Sequence, residues 1–365
     1  MKTFVYRLYP TKTQERRLSE ALDVCRNWYN ACLAERRDVY EAEGRTIGKF
    51  EQLAKVKDYR KADARAGQTH SHVVQVATAD LDKAFEAFFR RVKAGEKPGY
   101  PRFKGYNRFD SFGFKEYGNG FKIDGRRLKL SFIGRLAVRW HRPIEGKIKT
   151  LRVKRSAGKW YACFACETEP NPLPPTGREV GIDVGISSLI ATSYGETVGN
   201  PQWYRTEQKK LRITQRRVSR RKKGGTNRRK AVAILQRQHE RIANRRKDFL
   251  NKLALRLVTD YDRIAVENLN VKGMSRNHHL SKSILDSGWS YFRKRLDDKA
   301  AEAGRLVVGV NPAYTSKTCS GCGAIFEGLT LSDRWVTCDC GLSLDRDINA
   351  AHNILAAGRA VWGQT

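Results

Sequence analysis

The sequence predicts a multidomain α/β protein, and three observations carry that prediction. Up to residue 170, short β-like runs enclose two long helical patterns. The stretch Glu169-Pro170-Asn171-Pro172-Leu173-Pro174-Pro175-Thr176-Gly177 then holds four of the ten prolines, which predicts a stiff extended linker and the main domain boundary. Beyond it, short β-branched runs separated by helices read as an α/β domain.

Residues 2–9 alternate as a short strand that Pro10 stops. Thr11-Lys12-Thr13-Gln14 has the form of a capping box, whose hydroxyl and amide satisfy the first free helix donors. The helix that starts there carries an apolar stripe, Leu18, Leu22, Cys25, Trp28/Tyr29, Cys32/Leu33 and Val39/Tyr40, until Gly44 offers an exit. A second helical pattern covers roughly 68–93, with Val73/Val74, Ala77, Leu81, Ala84/Phe85 and Phe88/Phe89 on one side. Residues 95–125 mix Gly, Lys, Arg, Tyr and Phe, and strands follow at 128–132, 136–140, 148–154 and 159–167. This is a small β domain with helices inserted into it. After the linker, 179–183, 189–193, 263–267 and 306–310 read as strands. Between the second and third of these, residues 205–247 carry 18 Lys or Arg against 2 Asp or Glu, broken by Gly224-Gly225. Two basic helices joined by a turn fit this segment. The imbalance is too one-sided for mutual salt bridges, which leaves phosphate contact as the explanation.

With 40% hydrophobic residues in a chain of 365, global disorder is excluded. Lys and Arg number 71 against 38 Asp and Glu, a net charge of +33. A fold tolerates such self-repulsion when it binds a large polyanion, and nucleic acid is the obvious one. An anionic membrane would attract the same charge, yet there is no apolar run of 18 residues and no lipidation motif. The first residues, Met1-Lys2-Thr3-Phe4-Val5-Tyr6-Arg7, are too polar for a secretory signal. A cytoplasmic protein is expected, in which eight cysteines serve metal binding or core packing in preference to disulfides.

The run Val180-Gly181-Ile182-Asp183-Val184-Gly185 places a carboxylate inside an apolar segment, flanked by glycines that permit close approach of a ligand or metal. The anomaly recurs in Ile264-Ala265-Val266-Glu267-Asn268-Leu269. A third acid, Asp347 in Leu344-Asp345-Arg346-Asp347-Ile348-Asn349, falls near the start of a C-terminal helix. Three carboxylates converging from two strand ends and a helix start suit a pair of divalent ions about 4 Å apart, one activating water and one stabilising a leaving oxygen. Magnesium, or manganese in its place, prefers such hard oxygen ligands.

Cys319-Ser320-Gly321-Cys322 is followed after fifteen residues by Cys338-Asp339-Cys340-Gly341. The four thiolates can hold a tetrahedral zinc, and a full ligand set leaves no open position for water, so the site is structural. The second pair has one intervening residue where two are usual, which makes His352 an alternative ligand. Cys163 and Cys166 lie on a strand whose period of two sends the sulfurs to opposite faces; both are taken as core residues. His70-Ser71-His72 lacks the hydrophobe found between the paired histidines of tyrosine-type single-strand transposases, and the match is taken as chance.

Together these residues resemble TnpB, the family of RNA-guided nucleases carried by bacterial insertion sequences and related to type V CRISPR effectors. The resemblance spans essentially the whole chain. It rests on Tyr6-Arg7-Leu8-Tyr9-Pro10 with Gln14, Pro101-Arg102-Phe103-Lys104, Gly181-Ile182-Asp183-Val184-Gly185, Val266-Glu267-Asn268-Leu269, Thr315-Ser316 and Asp345-Arg346-Asp347-Ile348-Asn349-Ala350-Ala351. It implies that Asp183, Glu267 and Asp347 form the metal-binding catalytic triad, with Asp345 an adjacent acid. It also implies a β-barrel wedge domain (1–10 and 95–170) split by a helical recognition domain (11–94), and a linker at 171–177. A RuvC (RNase H-like) nuclease domain (178–311 and 344–365) follows, with an inserted zinc-ribbon module (312–343). Such proteins bind a guide (omega) RNA, recognise a short transposon-adjacent motif and cut guide-matched double-stranded DNA. Gln75, Lys115 and Tyr117 then lie where that motif is contacted. Arg102 and Lys104, with Arg216, Arg220, Arg221 and Lys222 of the basic helices, contact guide RNA or heteroduplex. A monomer within a ribonucleoprotein in the bacterial cytoplasm, nucleoid-associated when on DNA, is the implied state.

Three other readings stand beside this one. A junction resolvase uses similar carboxylates without needing a zinc module or so large a basic N-terminal half. A guide-dependent regulator that binds without cutting predicts loss of an acid, and all three positions are filled. A small type V CRISPR effector differs in its neighbouring genes.

Overall fold

The computed structural model describes residues 1–330 and 332–363; Leu331 of the expected zinc module and the last two residues of the expected 344–365 segment lie outside it. The chain divides into two compact units, Met1–Thr168 and one that begins at Glu169.

In the first unit, β1 (Lys2–Tyr9) alternates so that Phe4, Tyr6 and Leu8 face the core. The capping box is realised: Gln14 N–H donates to Thr11 Oγ1, Thr11 N–H donates to Gln14 Oε1, and α1 (Lys12–Glu43) runs to Gly44. At φ 62°, Gly44 adopts the left-handed cap that its missing side chain permits, and its N–H donates to Tyr40 O. Three short helices that the sequence reading did not resolve come next, α2 (Lys49–Ala54), α3 (Val56–Ala62) and α4 (Ala64–Gln68). The second long helix, α5 (Ser71–Lys93), starts three residues later than expected because His70 caps it, its Nδ1 accepting from His72 N–H. Trp28 Nε1 of α1 donates to Thr78 Oγ1 of α5 at 2.7 Å, which registers the two helices.

Within residues 95–125, where the sequence reading placed no strand, lie two four-residue strands, β2 (Ser111–Phe114) and β3 (Phe121–Asp124). With β4 (Arg127–Leu130), β5 (Gly134–Arg139), β6 (Lys147–Ser156) and β7 (Lys159–Glu167) they form an antiparallel sheet of order β2-β6-β7-β1-β5-β4-β3. Its edges β2 and β3 share no ladder among the described residues. They meet through Phe114 and Phe121, whose ring centroids lie 5.8 Å apart. Arg152 of β6 grips Asp80 of α5 through both guanidinium nitrogens, so helix and sheet are tied by a charge-assisted fork. Of the two cysteines on β7 only Cys166 is buried; Cys163 faces the other side and is half-buried, which corrects its expected place in the core.

The second unit opens with residues 171–177, which are docked and not a free spacer. Asn171 and Leu173 N–H donate to the carbonyls of Glu302 and Ala303, and Thr176 and Gly177 N–H donate to Asp262. Its sheet comprises β8 (Glu179–Asp183), β9 (Ser188–Thr192), β10 (Thr197–Gly199), β11 (Arg263–Glu267) and β12 (Leu306–Val310), in the order β10-β9-β8-β11-β12. The β8, β11 and β12 strands are parallel; β9 and β10 are antiparallel to their neighbours. Between β10 and β11 the basic segment forms the expected pair, α6 (Trp203–Ser219) and α7 (Thr226–Asp260), joined at Gly224-Gly225. Three helices, α8 (Val271–Met274), α9 (Ser281–Ser287) and α10 (Trp289–Ala303), separate β11 from β12. A hairpin of β13 (Trp335–Thr337) and β14 (Ser343–Asp345) leads into α11 (Arg346–Trp362), which lies across β8, β9, β11 and β12. Among the described residues no helix is long and apolar enough to cross a membrane.

Candidate active site and thiol cluster

Asp183 is the last residue of β8 and Glu267 the last of β11. Parallel register pairs Ile182 with Val266, so the two carboxylates leave the same end of the sheet side by side. Buried Val180 and Ile182 anchor β8 in the core. Gly181 between them faces α11, where any side chain would collide with the Ala351 carbonyl and the Leu355 backbone nitrogen. That close approach brings the start of α11 to the strand ends. Asp345 caps the helix by accepting from Asp347 and Ile348 N–H at 2.8 and 3.2 Å, and Asp347 sits in the first turn. A methyl group added at Gly185 would lie 3.9 Å from Asp347 Oδ2, so the loop after β8 passes beside the third acid.

Asp183 is pushed up to about 8 by burial first and then by the charges of Glu267 and Asp347, so the three acids act on one another. Burial also raises Glu267, against a hydrogen bond from Thr315 Oγ1 at 2.5 Å. Asp347 is raised by burial and then by Asp345, while Arg334 and Arg346, 3.9 and 4.0 Å from its Oδ1, pull the other way. Burial disfavours the charged form of all three carboxylates, and added positive charge would favour it. An all-oxygen donor set of this kind fits a hard divalent cation.

The second cluster is tighter. The ligand atoms of Cys319, Cys322, Cys338 and Cys340 all lie within 4.8 Å of one another, with Sγ–Sγ distances of 3.7 Å (Cys319 to Cys340) and 3.5 Å (Cys322 to Cys338). Among the described residues it is the one such grouping of His, Cys, Asp or Glu ligands, so the one-residue gap of the second pair is no obstacle. Burial opposes ionisation of Cys319, yet hydrogen bonds from the Cys322 and Gly321 backbone bring it down to about 7. An all-sulfur tetrad of this kind suits zinc. His352 is exposed on α11 and stands outside the cluster.

Two asparagines to which the sequence reading assigned no role join these sites. Buried Asn349 donates to Thr318 O and accepts from Ser320 N–H; Asn353, one turn on, donates to Thr315 O and Thr318 O. The helix that carries Asp347 therefore clasps the segment leading into the first cysteine pair, and Thr315 of that segment holds Glu267. Their spacing of four on an otherwise apolar helix face was the available signal.

The expected nucleic-acid residues fall in several places. In the first unit Lys115 and Tyr117 share a groove of about 590 Å³ with Lys147 and Lys149. Gln75 is half-buried on α5 and Arg102 is exposed. Lys104 is pinned through its backbone, which exchanges two hydrogen bonds with Asn30, and its ammonium lies 5.5 Å from the Tyr29 ring centre. His70 and His72 have local roles: His70 Nε2 bonds Asn119, and His72 Nδ1 accepts from Lys115 N–H. In the second unit Arg216, Arg220 and Lys222 are exposed and Arg221 is half-buried, at the end of α6 and in the turn after it.

Comparison with known proteins places this geometry in a lineage. The OrfB_IS605 family model, described as "Probable transposase", matches residues 163–278, and a Cas12f1-like TNB domain matches 289–354. A helix-turn-helix domain model matches residues 1–45, which here fold as β1 and one unbroken helix. A protein of Streptomyces pristinaespiralis named as an RNA-guided DNA endonuclease is 37% identical over 98% of this chain and 90% of its own. InsQ of Escherichia coli (strain K12), similarly named, is 31% identical over 99% and 93%. The CRISPR-associated endodeoxyribonuclease Cas12f1 of Sulfoacidibacillus thermotolerans is 26% identical over 54% of this chain and 50% of its own. Among solved structures, the mini-RNA-guided endonuclease CRISPR-Cas_phi3 is similar at a TM-score of 0.48 and 10% identity, over 98% of this chain and 92% of that one. By its likeness to relatives over nearly its whole length, the chain belongs to the TnpB family of RNA-guided DNA endonucleases.

Proposed function

We propose that this protein is an RNA-guided DNA endonuclease of an insertion sequence. It binds a guide RNA, recognises a short transposon-adjacent motif and hydrolyses a phosphodiester of guide-matched double-stranded DNA. The observation that carries the reading is the convergence of Asp183, Glu267 and Asp347 at one end of the parallel strands, each raised by burial and Asp183 also by the charges of the other two. The strand order, with α11 across the sheet, supports a RuvC-type, RNase H-like nuclease domain.

Asp183, Glu267 and Asp347 would hold magnesium. Bound there as a pair of ions, magnesium supplies an acidified water and charge for the leaving oxygen. The chain's own residues prepare that site. Thr315 orients Glu267 by occupying one of its oxygens, and the Asp345 cap fixes the turn that presents Asp347. Arg334 and Arg346 bring positive charge to the edge where a phosphate would approach. The α6–α7 hairpin follows a nucleic-acid backbone with Arg216, Arg220, Arg221 and Lys222, and the groove at Lys115 and Tyr117, with Gln75, reads the adjacent motif. The thiol tetrad holds structural zinc. The protein acts in the cytoplasm as a monomer within its ribonucleoprotein.

The test is to purify the protein with the RNA encoded beside it and challenge it with a library of guide-matched targets in magnesium. Guide-dependent cutting that Asp183→Ala abolishes, with guided binding retained, is the expected result. Guided binding without cutting by the unaltered protein would move the reading to a regulator. The partial likeness to Cas12f1 keeps a small CRISPR effector as the second reading, for which a repeat array beside the gene would be decisive.

A further inference from the structure

Of the seven tryptophans, all of them among the described residues, Trp335 alone is exposed, at 60%. A ring of this size left bare forfeits the burial that its six counterparts gain. In the β13–β14 hairpin Trp335 is paired with Asp345, and directly paired residues of antiparallel strands share a face. The indole therefore stands on the side of Asp345, the cap of the turn that presents Asp347. Its Nε1 donates to Ser343 Oγ at 2.8 Å, so the ring is held by its edge while it stays open to solvent. Arg334, immediately before it, is exposed and comes within 3.9 Å of Asp347 Oδ1. A second bare aromatic lies on the segment that leads into the thiol cluster. Tyr314 is 64% exposed and holds φ at 65°, a conformation that residues with a side chain mostly avoid. It immediately precedes Thr315, whose hydroxyl holds Glu267. Backbone strain of this kind is concentrated at ligand clamps. Two exposed rings, each one residue from a partner of an acid and one of them beside a bare arginine, make the surface that unpaired nucleic acid recognises. Every base has a flat face that stacks on an aromatic ring, whatever the sequence, while the cation draws its phosphate.

We propose that Trp335, with Tyr314 as its counterpart on the Glu267 side, is a stacking platform for an unpaired base of the DNA strand being cut, and that Arg334 takes the adjoining phosphate. The inference rests on the nuclease reading of Asp183, Glu267 and Asp347. A target opened by guide pairing supplies a strand whose bases are free to stack. Stacking beside the acids holds that strand against them without reading its sequence. Trp335 and Tyr314 are thus positioning residues.

The experiment reads tryptophan emission from the protein loaded with guide RNA, in an Asp183→Ala background that leaves bound target intact. Because the other six tryptophans are shielded, the part of the emission that acrylamide quenches belongs to Trp335. Matched DNA should dim the emission and abolish that accessible part, mismatched DNA should do neither, and the same background with Trp335→Phe should lack the change. In the cutting protein, Trp335→Ala should cut matched DNA roughly tenfold more slowly, the scale of one stacked base, with guided binding and zinc content unchanged. Trp335→Phe, which keeps a ring, should recover most of the rate. Emission that stays accessible on matched DNA overturns the proposal, and this arm decides even where Trp335→Ala fails to fold. So does quenching that is complete once the guide is loaded, since the ring then serves the RNA, or cutting by Trp335→Ala at the original rate. The unaltered protein is tested on matched DNA first. Its failure to cut would sink the nuclease reading and the assignment to a cut strand together, whereas cutting without any quenching sinks the platform alone.

Discussion

Thr315 donates its hydroxyl to Glu267 at 2.5 Å while its backbone carbonyl accepts from Asn353. One residue thus couples the carboxylate of a strand end to the helix that carries Asp347. Thr315→Val keeps the shape and deletes the donor. The magnesium concentration for half-maximal cutting should rise roughly 10–100-fold, the range for losing an outer partner of a metal ligand, with guide binding unchanged. An unaltered magnesium titration would show that Glu267 needs no orientation.

Asp183, at about 8, takes up a proton on folding that the unfolded chain, with an aspartate near 4, has released. Its contribution to stability is therefore full below about pH 4, declines as pH rises toward about 8, and above that is an uncompensated charge. Asp183→Asn lacks that charge. In chelator, the melting temperature of the variant relative to the unaltered protein should climb between about pH 5 and 8 and then level off. A flat difference across that window would show that the carboxylate ionises freely.

Gly181→Ala drives a methyl group into the backbone of α11. Overpacking of this kind costs about 1–3 kcal/mol, and a backbone collision belongs at the upper end, so melting should fall by roughly 5–10 °C. Gly199→Ala, where nothing lies within 4 Å, is the control and should melt with the unaltered protein. Equal melting of both variants would mean that α11 does not press on β8.

Cys319→Ser should abolish zinc content, and because Asn349 and Asn353 tie the same segment to α11, melting temperature and cutting should fall together. Metal analysis and a cleavage time course on one preparation decide this. Full cutting by zinc-free protein would uncouple the module from the site.

Replacing Arg216, Arg220, Arg221 and Lys222 together with Ala should flatten the salt dependence of guide-RNA binding. The log–log slope should shrink by up to about 3, at roughly 0.7–0.9 for each phosphate that is no longer neutralised. An unchanged slope would assign the hairpin to something other than a nucleic-acid backbone.

What the sequence made legible was whatever violated a local rule. Asp183 and Glu267 announced themselves as charges in apolar strands, the thiol pairs by spacing, and α1 by its capping box and stripe. Residues whose meaning depends on distant partners did not. Thr315 looks like any loop threonine until Glu267, 48 positions earlier, is set against it. The helices between 49 and 68 are five to seven residues long, too short for an apolar period to emerge, and β2 and β3 are four-residue strands whose pairing comes from across the sheet. Cys163 was misjudged because strand period gives the side a residue faces, while the covering of that side is a tertiary matter.

The dependence of the third acid on α11 also sets an order in time. Asp347 is synthesised 80 residues after Glu267, and the helix that bears it is seated only when Gly181 and the cysteine segment are both in place. A nascent chain still threading the ribosome exit has its basic hairpin complete and its cutting site two-thirds built. If the three acids cut DNA as proposed, such a chain can already attract RNA and cannot yet damage the chromosome from which it is being expressed, so arming waits on the synthesis of α11.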